Sequence, residues 1–271
     1  SAASETADTT YYDMIHKDCQ KDEAADFRVK KYQLDFSVGL NLTGSAKVYV
    51  DRSELKSYRF TLYHGYKVKQ VTDQTGAALD FRREYDYVTV TRGGAAVEYL
   101  CLESTGKSPK YYSSYAGVCL PANFAYYPIP GYRELFSDNF YGFIDCSLPY
   151  DTAFDVRCSG RKQMYCNLAA RGDNHFAGNA RSITLLSGYY DTLKLNDTLV
   201  VYPKYADTEI RARIKKNMGT FTKQHRDIRT IFIMDACNLT PYEHLRSYDG
   251  YVVTNSMIDM EQSYFESQID I

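Results

Sequence analysis

The side chains able to ligate a metal or run acid–base chemistry are few and scattered. Five histidines (His16, His64, His175, His225 and His244) stand well apart. None belongs to an H-E-x-x-H run, in which one helix face presents two imidazoles to zinc with the Glu as base. Glu243 and His244 are adjacent, yet no second His lies four residues away; a surface pair in the turn after Pro241 is the better reading. The seven cysteines (Cys19, Cys101, Cys119, Cys146, Cys158, Cys166 and Cys237) contain no C-x-x-C pair, so their spacing gives no support to a zinc site. Most are expected to be small buried hydrophobes. Cys158 and Cys166 would face each other if they occupied the two arms of a hairpin. There is no G-x-S-x-G elbow and no phosphate-cradling P-loop. Gly93-Gly94 follows one strand-like run and precedes another, which reads as a hairpin turn. Asp145, Asp151 and Asp155 lack calcium-loop spacing and read as solvated loop acids. Asn41, Asn196 and Asn238 open glycosylation sequons of a length that arises often by chance. No metal and no cofactor is called for.

Tyrosine is the unusual resource. The chain has 27 Tyr and 13 Phe but no Trp. Tyr111, Tyr112, Tyr115, Tyr126, Tyr127, Tyr132 and Tyr141 crowd a segment rich in Ser, Gly and Pro between residues 104 and 149. Large, stiff, amphipathic rings suit stacking against sugars or peptides, and Tyr111, Tyr112, Tyr126, Tyr127 and Tyr132 are the candidate binding residues. The competing reading, which the composition favours, is that these rings are buried, since an irregular segment must bury something to be ordered.

The elements that would position these groups are mostly strands. From Phe27, FRVKKYQLDFSVGL alternates with period two. SAKVYVD, YRFTLY, YKVKQVTD, GAALDF, YDYVTVT and AVEYLCLES follow at short spacing, separated by turn signals. Such a series predicts an antiparallel sandwich or open barrel-like sheet. TAFDVRCS, KQMYCNL, ARSITLLSGYY and DTLVVYP are expected to complete the same sheet system. Near residue 204 the period changes: Asp207 is a candidate N-cap, and Ile210, Ile214, Met218 and Phe221 recur on one helix face. TIFIMDA reads as a buried strand, Tyr251 to Thr254 as a short one, and Met257 to Gln268 as a last helix. A short helix is also expected near Tyr11 to Asp18. The expected organisation is an acidic arm over 1–26, a β-rich domain over 27–203 and an α/β segment over 204–271.

Composition narrows the classes further. With 271 residues, 44% hydrophobic, the chain can bury a real core, and disorder as the dominant state is excluded. No apolar run approaches the 18 or so residues of a membrane helix. Residues 1–26 carry net −5 and residues 257–271 net −4, leaving the stretch between them at +7 within a whole-chain charge of −2. That positive charge is scattered among acids except from Arg211 to Arg229, so nucleic acid is not an expected partner.

Several stretches resemble the N-terminal part of the aminopeptidase N-like zinc metallopeptidases (gluzincins), especially divergent bacterial relatives joined to membrane transport proteins. YRFTLYHGYKVKQVTDQTGAALDFRREYDYVTVT is similar to that family's strand pair. VCLPANFAYYPIPG resembles its aromatic-aromatic-Pro element, here Tyr126-Tyr127-Pro128. TAFDVRCSGRKQMYCNLAARGDNHFAGNARSITLLSGYYD resembles its closing strands, with Asn167 at a turn. The helix after Asp207 and TIFIMDA would match the opening of the peptidase domain. The resemblance covers roughly residues 27–260. The family's zinc helix has no counterpart before Ile271, and its G-x-M-E-N element is met only by Met260-Glu261-Gln262, so no catalytic residue carries over. The resemblance implies a mainly β, saddle-like domain with a small α/β segment. It further implies a non-catalytic, extracytoplasmic, membrane-tethered module. Its partner would be a downstream domain of the same polypeptide or a membrane protein. A free-standing glycan- or peptide-binding module is the alternative.

Overall fold

The computed structural model describes residues 21–107, 113–114, 117–122, 124–137, 142–143, 145–160, 162–204, 208–233 and 245–254. The helix expected near Tyr11, Tyr111 and Tyr112, the Asp207 cap, the Glu243-His244 pair and the last helix all lie outside these residues.

The fold is mainly β, as the periodicity predicts. In chain order the strands are β1 (Val29–Val38), β2 (Leu42–Val50), β3 (Ser57–Thr61), β4 (Tyr66–Asp73), β5 (Phe81–Glu84), β6 (Tyr87–Thr91) and β7 (Tyr99–Gly106). After these come β8 (Ser113–Ser114), β9 (Gly117–Leu120), β10 (Ile129–Pro130), β11 (Phe136–Ser137), β12 (Gly142–Phe143) and β13 (Thr152–Ser159). Then follow β14 (Met164–Cys166), β15 (Ala169–Gly172), β16 (His175–Ala180), β17 (Leu185–Ser187), β18 (Tyr190–Leu195) and β19 (Thr198–Pro203). Helix α1 (Thr208–Gln224), β20 (Thr230–Ile233), β21 (Leu245–Tyr248) and β22 (Tyr251–Thr254) complete the order.

The first seven strands do not form one layer. β1, β2, β4 and β7 join a seven-stranded sheet in the order β15-β16-β13-β1-β2-β7-β4, while β3, β5 and β6 form a four-stranded sheet with β10. A second four-stranded sheet runs β14-β17-β9-β8, and β11 pairs with β12. Within the large sheet only β1 and β13 run parallel. The alternation read from the sequence is the inward face: Tyr32, Leu34 and Phe36 of β1 and Ala46, Val48 and Val50 of β2 are buried, while their neighbours point out. Gly93-Gly94 is not a hairpin turn. β6 before it and β7 after it belong to different sheets, so the pair lies on a crossover between layers.

DTLVVYP departs from expectation in its partners. It is β19, and with β18 it hydrogen-bonds into a five-stranded sheet, β18-β19-β20-β22-β21, rather than completing the β-rich sheets. β19, β20 and β22 are parallel, and β18 and β21 are antiparallel edges. Runs such as VVY and IFI, apolar at every position, signal this: a strand covered on both faces has no polar side to alternate. Val201, Phe232, Tyr251 and Val253 face the main core. Val200, Tyr202, Ile231, Ile233 and Val252 face α1, meeting Ile214, Met218 and Phe221. The helix therefore closes the outer layer, its apolar stripe set by the four- and three-residue spacing of Ile214, Met218 and Phe221.

Candidate functional site

Open α/β sheets usually place ligands outside the carboxyl ends of their parallel strands. Here those ends lead into residues 205–207, 234–244 and 255–271, outside the described residues. At the opposite, amino end of the same strands lies a groove of about 1010 Å³, between the five-stranded sheet and the edge of the β-rich layers. It is the candidate site.

Its inner wall is built at one corner. Between β14 and β15 the chain turns at Asn167, whose Nδ2 donates to the Ser182 carbonyl at 3.1 Å and whose Oδ1 accepts from the Thr184 amide at 2.9 Å. The Thr184 hydroxyl accepts from the Ala122 amide at 3.1 Å and donates to the Tyr251 hydroxyl at 3.2 Å. Tyr251 also shares a 2.9 Å hydrogen bond with Ser182 Oγ. One buried polar chain thus fixes the start of β22 against the corner that turns β14 into β15. Burial raises the Tyr251 phenol above its usual range, so it stays neutral and works as a hydrogen-bond group. Arg171, Lys194 and Arg229 line the groove with Asp197 and Asp249, a small excess of positive charge.

Of the tyrosines expected as binding residues, the three described ones do not line this groove. Tyr126, Tyr127 and Tyr132 are buried. The rings of Tyr126 and Tyr127 meet edge to face at 5.0 Å, and Tyr127 meets Tyr32 at 5.3 Å. The Tyr126 hydroxyl donates to the Ile183 carbonyl and that of Tyr32 to the Pro128 carbonyl, each at 2.7 Å. Tyr132 pairs with the Thr89 hydroxyl and packs on Tyr87. These rings hold the Pro-rich segment onto the sheets, the packing role that the composition favoured.

The remaining candidates are separated. His64 meets Asp86 at 3.0 Å and stacks on Tyr85, and His175 meets Asp155 at 3.1 Å. Asp155 stands on β13 rather than in a loop. Asp145 accepts from Ser147, and Asp151 pairs with Arg181. Among the described residues no three His, Cys, Asp or Glu converge as metal ligands. Cys158 and Cys166 sit on strands of different sheets, not on two hairpin arms. Both thiols are buried, as is that of Cys146, and desolvation pushes all three up to about 12. Cys119 is disulfide-bonded. The Asn196 amide donates to the Gly219 carbonyl and Thr222 Oγ1, tying the β18–β19 turn to α1.

No family model matches the sequence, and no curated protein matches it. Solved structures do. Yeast LTA4 hydrolase in complex with bestatin superposes with a TM-score of 0.62 at 11% identity, over 93% of this chain and 45% of that one. The M1 zinc metallopeptidase of Deinococcus radiodurans gives 0.52 at 11% identity, over 86% and 62%. The chain therefore spans less than two thirds of the length of either relative. At this identity the likeness shows a shared fold.

Proposed function

We propose that this chain is a non-catalytic, β-rich module of a larger peptidase-like or transporter-linked membrane protein, packed beside a downstream domain and shaping access to it. The observation that carries the reading is the five-stranded sheet, whose inner face belongs to the β-rich core while its outer face is covered by α1. A unit joined to its neighbour through a continuous core holds a fixed wall rather than a swinging arm. The fold shared with peptidases supports the setting, and the sequence supplies no H-E-x-x-H to bring catalysis with it.

The location proposed is extracytoplasmic, with the membrane tether outside these 271 residues. The Cys119 disulfide supports it, because such bonds persist in oxidising compartments. Among the described residues no helix is long and apolar enough to cross a membrane.

Two measurements test this. The purified chain should retain no stoichiometric zinc through dialysis and should leave aminoacyl reporter substrates intact; about one zinc per chain would overturn the non-catalytic assignment. Fractionation of the native host with an antibody to this region should give a membrane-associated signal. Signal confined to the cytosol, from a polypeptide no longer than this one, would refute the location.

A further inference from the structure

Helix α1 covers the five-stranded sheet with Ile214, Met218 and Phe221 and leaves its opposite side to solvent. Arg213, Lys216, Thr220 and Lys223 follow one another at three- and four-residue steps, so they form one outward ridge. Arg211 and Lys215 flank it, and Arg226 stands just past the last turn. All six bases are exposed. No acid occurs between Arg211 and Arg226, which gives that stretch net +6. The whole chain is −2, so everything outside the stretch sums to −8. Positive charge is concentrated on one helix of an otherwise acidic chain.

A solvated helix face normally mixes both signs, and opposite charges four residues apart relieve one another. In α1 only Arg213 has such relief, from Glu209 at 2.6 Å. Among the described residues the other five bases make no ion pair. Arg211 and Lys215 stand four residues apart with like charge, an arrangement that destabilises an isolated helix. The helix dipole accounts for Lys223 in the last turn, but it disfavours Arg211 in the first. An external anionic partner removes these costs.

The chemistry of the ridge selects the partner. The other exposed residues between Arg211 and Arg226 are Ala212, Thr220 and Gln224, and none is aromatic or large and apolar. A protein interface is anchored by aromatic residues and depleted of lysine. None of the six bases lines the groove. A lipid surface needs neither anchor nor groove, because it supplies negative charge in a plane without fixed partner geometry. We infer that α1 lies against the membrane surface, held by the anionic headgroups of its lipids, with Arg213, Lys216 and Lys223 nearest them. The apolar side of α1 is already used in the core, so the contact is electrostatic and sensitive to salt rather than inserted. The inference rests on the membrane-linked reading above and adds which face of the module meets the bilayer.

The test is co-sedimentation of the 271-residue chain with vesicles of phosphatidylcholine, alone or mixed with phosphatidylglycerol. Binding to the anionic vesicles should exceed binding to the neutral ones by at least about tenfold. It should fall by a similar factor when NaCl is raised from about 0.05 to about 0.5 M. Lys216→Glu combined with Lys223→Glu should weaken it at least about tenfold. Lys30→Glu combined with Lys67→Glu, at exposed strand positions, changes net charge equally and should leave binding within about threefold of the parent. Circular dichroism checks that each pair folds; if the first does not, Lys216→Gln with Lys223→Gln takes its place. Equal binding to the two kinds of vesicle, equal loss in the two pairs, or no binding at millimolar lipid would overturn the inference. So would tighter binding to polyglutamate at matched anion concentration, which would assign the ridge to an acidic protein. Vesicle binding is read on the isolated chain and fractionation on the host, so the inference and the location can fail separately.

Discussion

At the residue scale, buried tyrosines divide by whether their hydroxyl finds a partner. Tyr126 donates to the Ile183 carbonyl, whereas the Tyr66 hydroxyl is buried without a hydrogen-bond partner among the described residues. Tyr126→Phe should therefore cost about 1–3 kcal/mol, because it leaves a buried carbonyl unpaired. Tyr66→Phe should be neutral or slightly stabilising, since it removes only a desolvated hydroxyl. Urea denaturation of the two variants checks the contrast, and an equal loss would refute it. The buried thiols give a second expectation. Cys146, Cys158 and Cys166, with pKa pushed up to about 12, should resist iodoacetamide in the native chain at pH 8 and react once it is unfolded, because only the thiolate attacks. Mass spectrometry of the labelled peptides reads this directly. That most cysteines are small buried side chains was legible in the sequence, from the usual burial of this residue type. Which tyrosine has a partner was not, because Ile183 and Tyr126 meet only through the tertiary fold.

At the element scale, the helix and the five-stranded sheet depend on one another. Phe221 of α1 is fully buried in the cluster that also holds Ile231 and Val252. Phe221→Ala should cost about 3–5 kcal/mol. Hydrogen exchange should place the loosening in α1 and β19–β22, with β1 and β2 protected as before, because the two clusters lie on opposite faces of the sheet. Uniform loosening would instead mean a single cooperative unit. Strand and helix positions were legible from period, as the buried alternation of β1 and β2 shows. Sheet membership was not. β19 looks like any buried strand until its parallel partner, β20, is seen beyond the intervening helix, and periodicity carries no information about pairing.

At the scale of the whole molecule, the tyrosine-rich core makes stability depend on alkaline pH. Burial raises the phenols of Tyr32, Tyr66, Tyr126, Tyr127 and Tyr251 above their ordinary value. In the unfolded chain these groups ionise near pH 10. Their contribution to stability is thus complete below about pH 10 and is lost as pH rises beyond it, where only the unfolded chain readily releases the protons. Phenolate absorbance and far-ultraviolet circular dichroism, followed together, should show late tyrosines ionising in the same narrow pH range in which strand signal disappears. Smooth ionisation of all tyrosines near pH 10 with the strand signal intact would contradict this. The overall architecture was legible through a resemblance spread over several motifs, and the superposition on two solved structures agrees with it. The groove was not legible, because the residues that line it lie far apart in the sequence.

The parallel contact between β1 and β13 also constrains how the chain is made. The Thr152 hydroxyl donates to the Val29 carbonyl, 123 positions earlier. A ribosome adding about 5–20 residues per second needs roughly 6–25 s to travel that distance. Throughout that interval β1 can pair with β2 on one side while its other side waits for a strand not yet synthesised. Nascent chains on neighbouring ribosomes of one message carry the same waiting edge. Slowing elongation between residues 50 and 150 with rare codons should therefore lower the soluble yield of an unchanged amino-acid sequence, and a chaperone that holds extended segments should restore it.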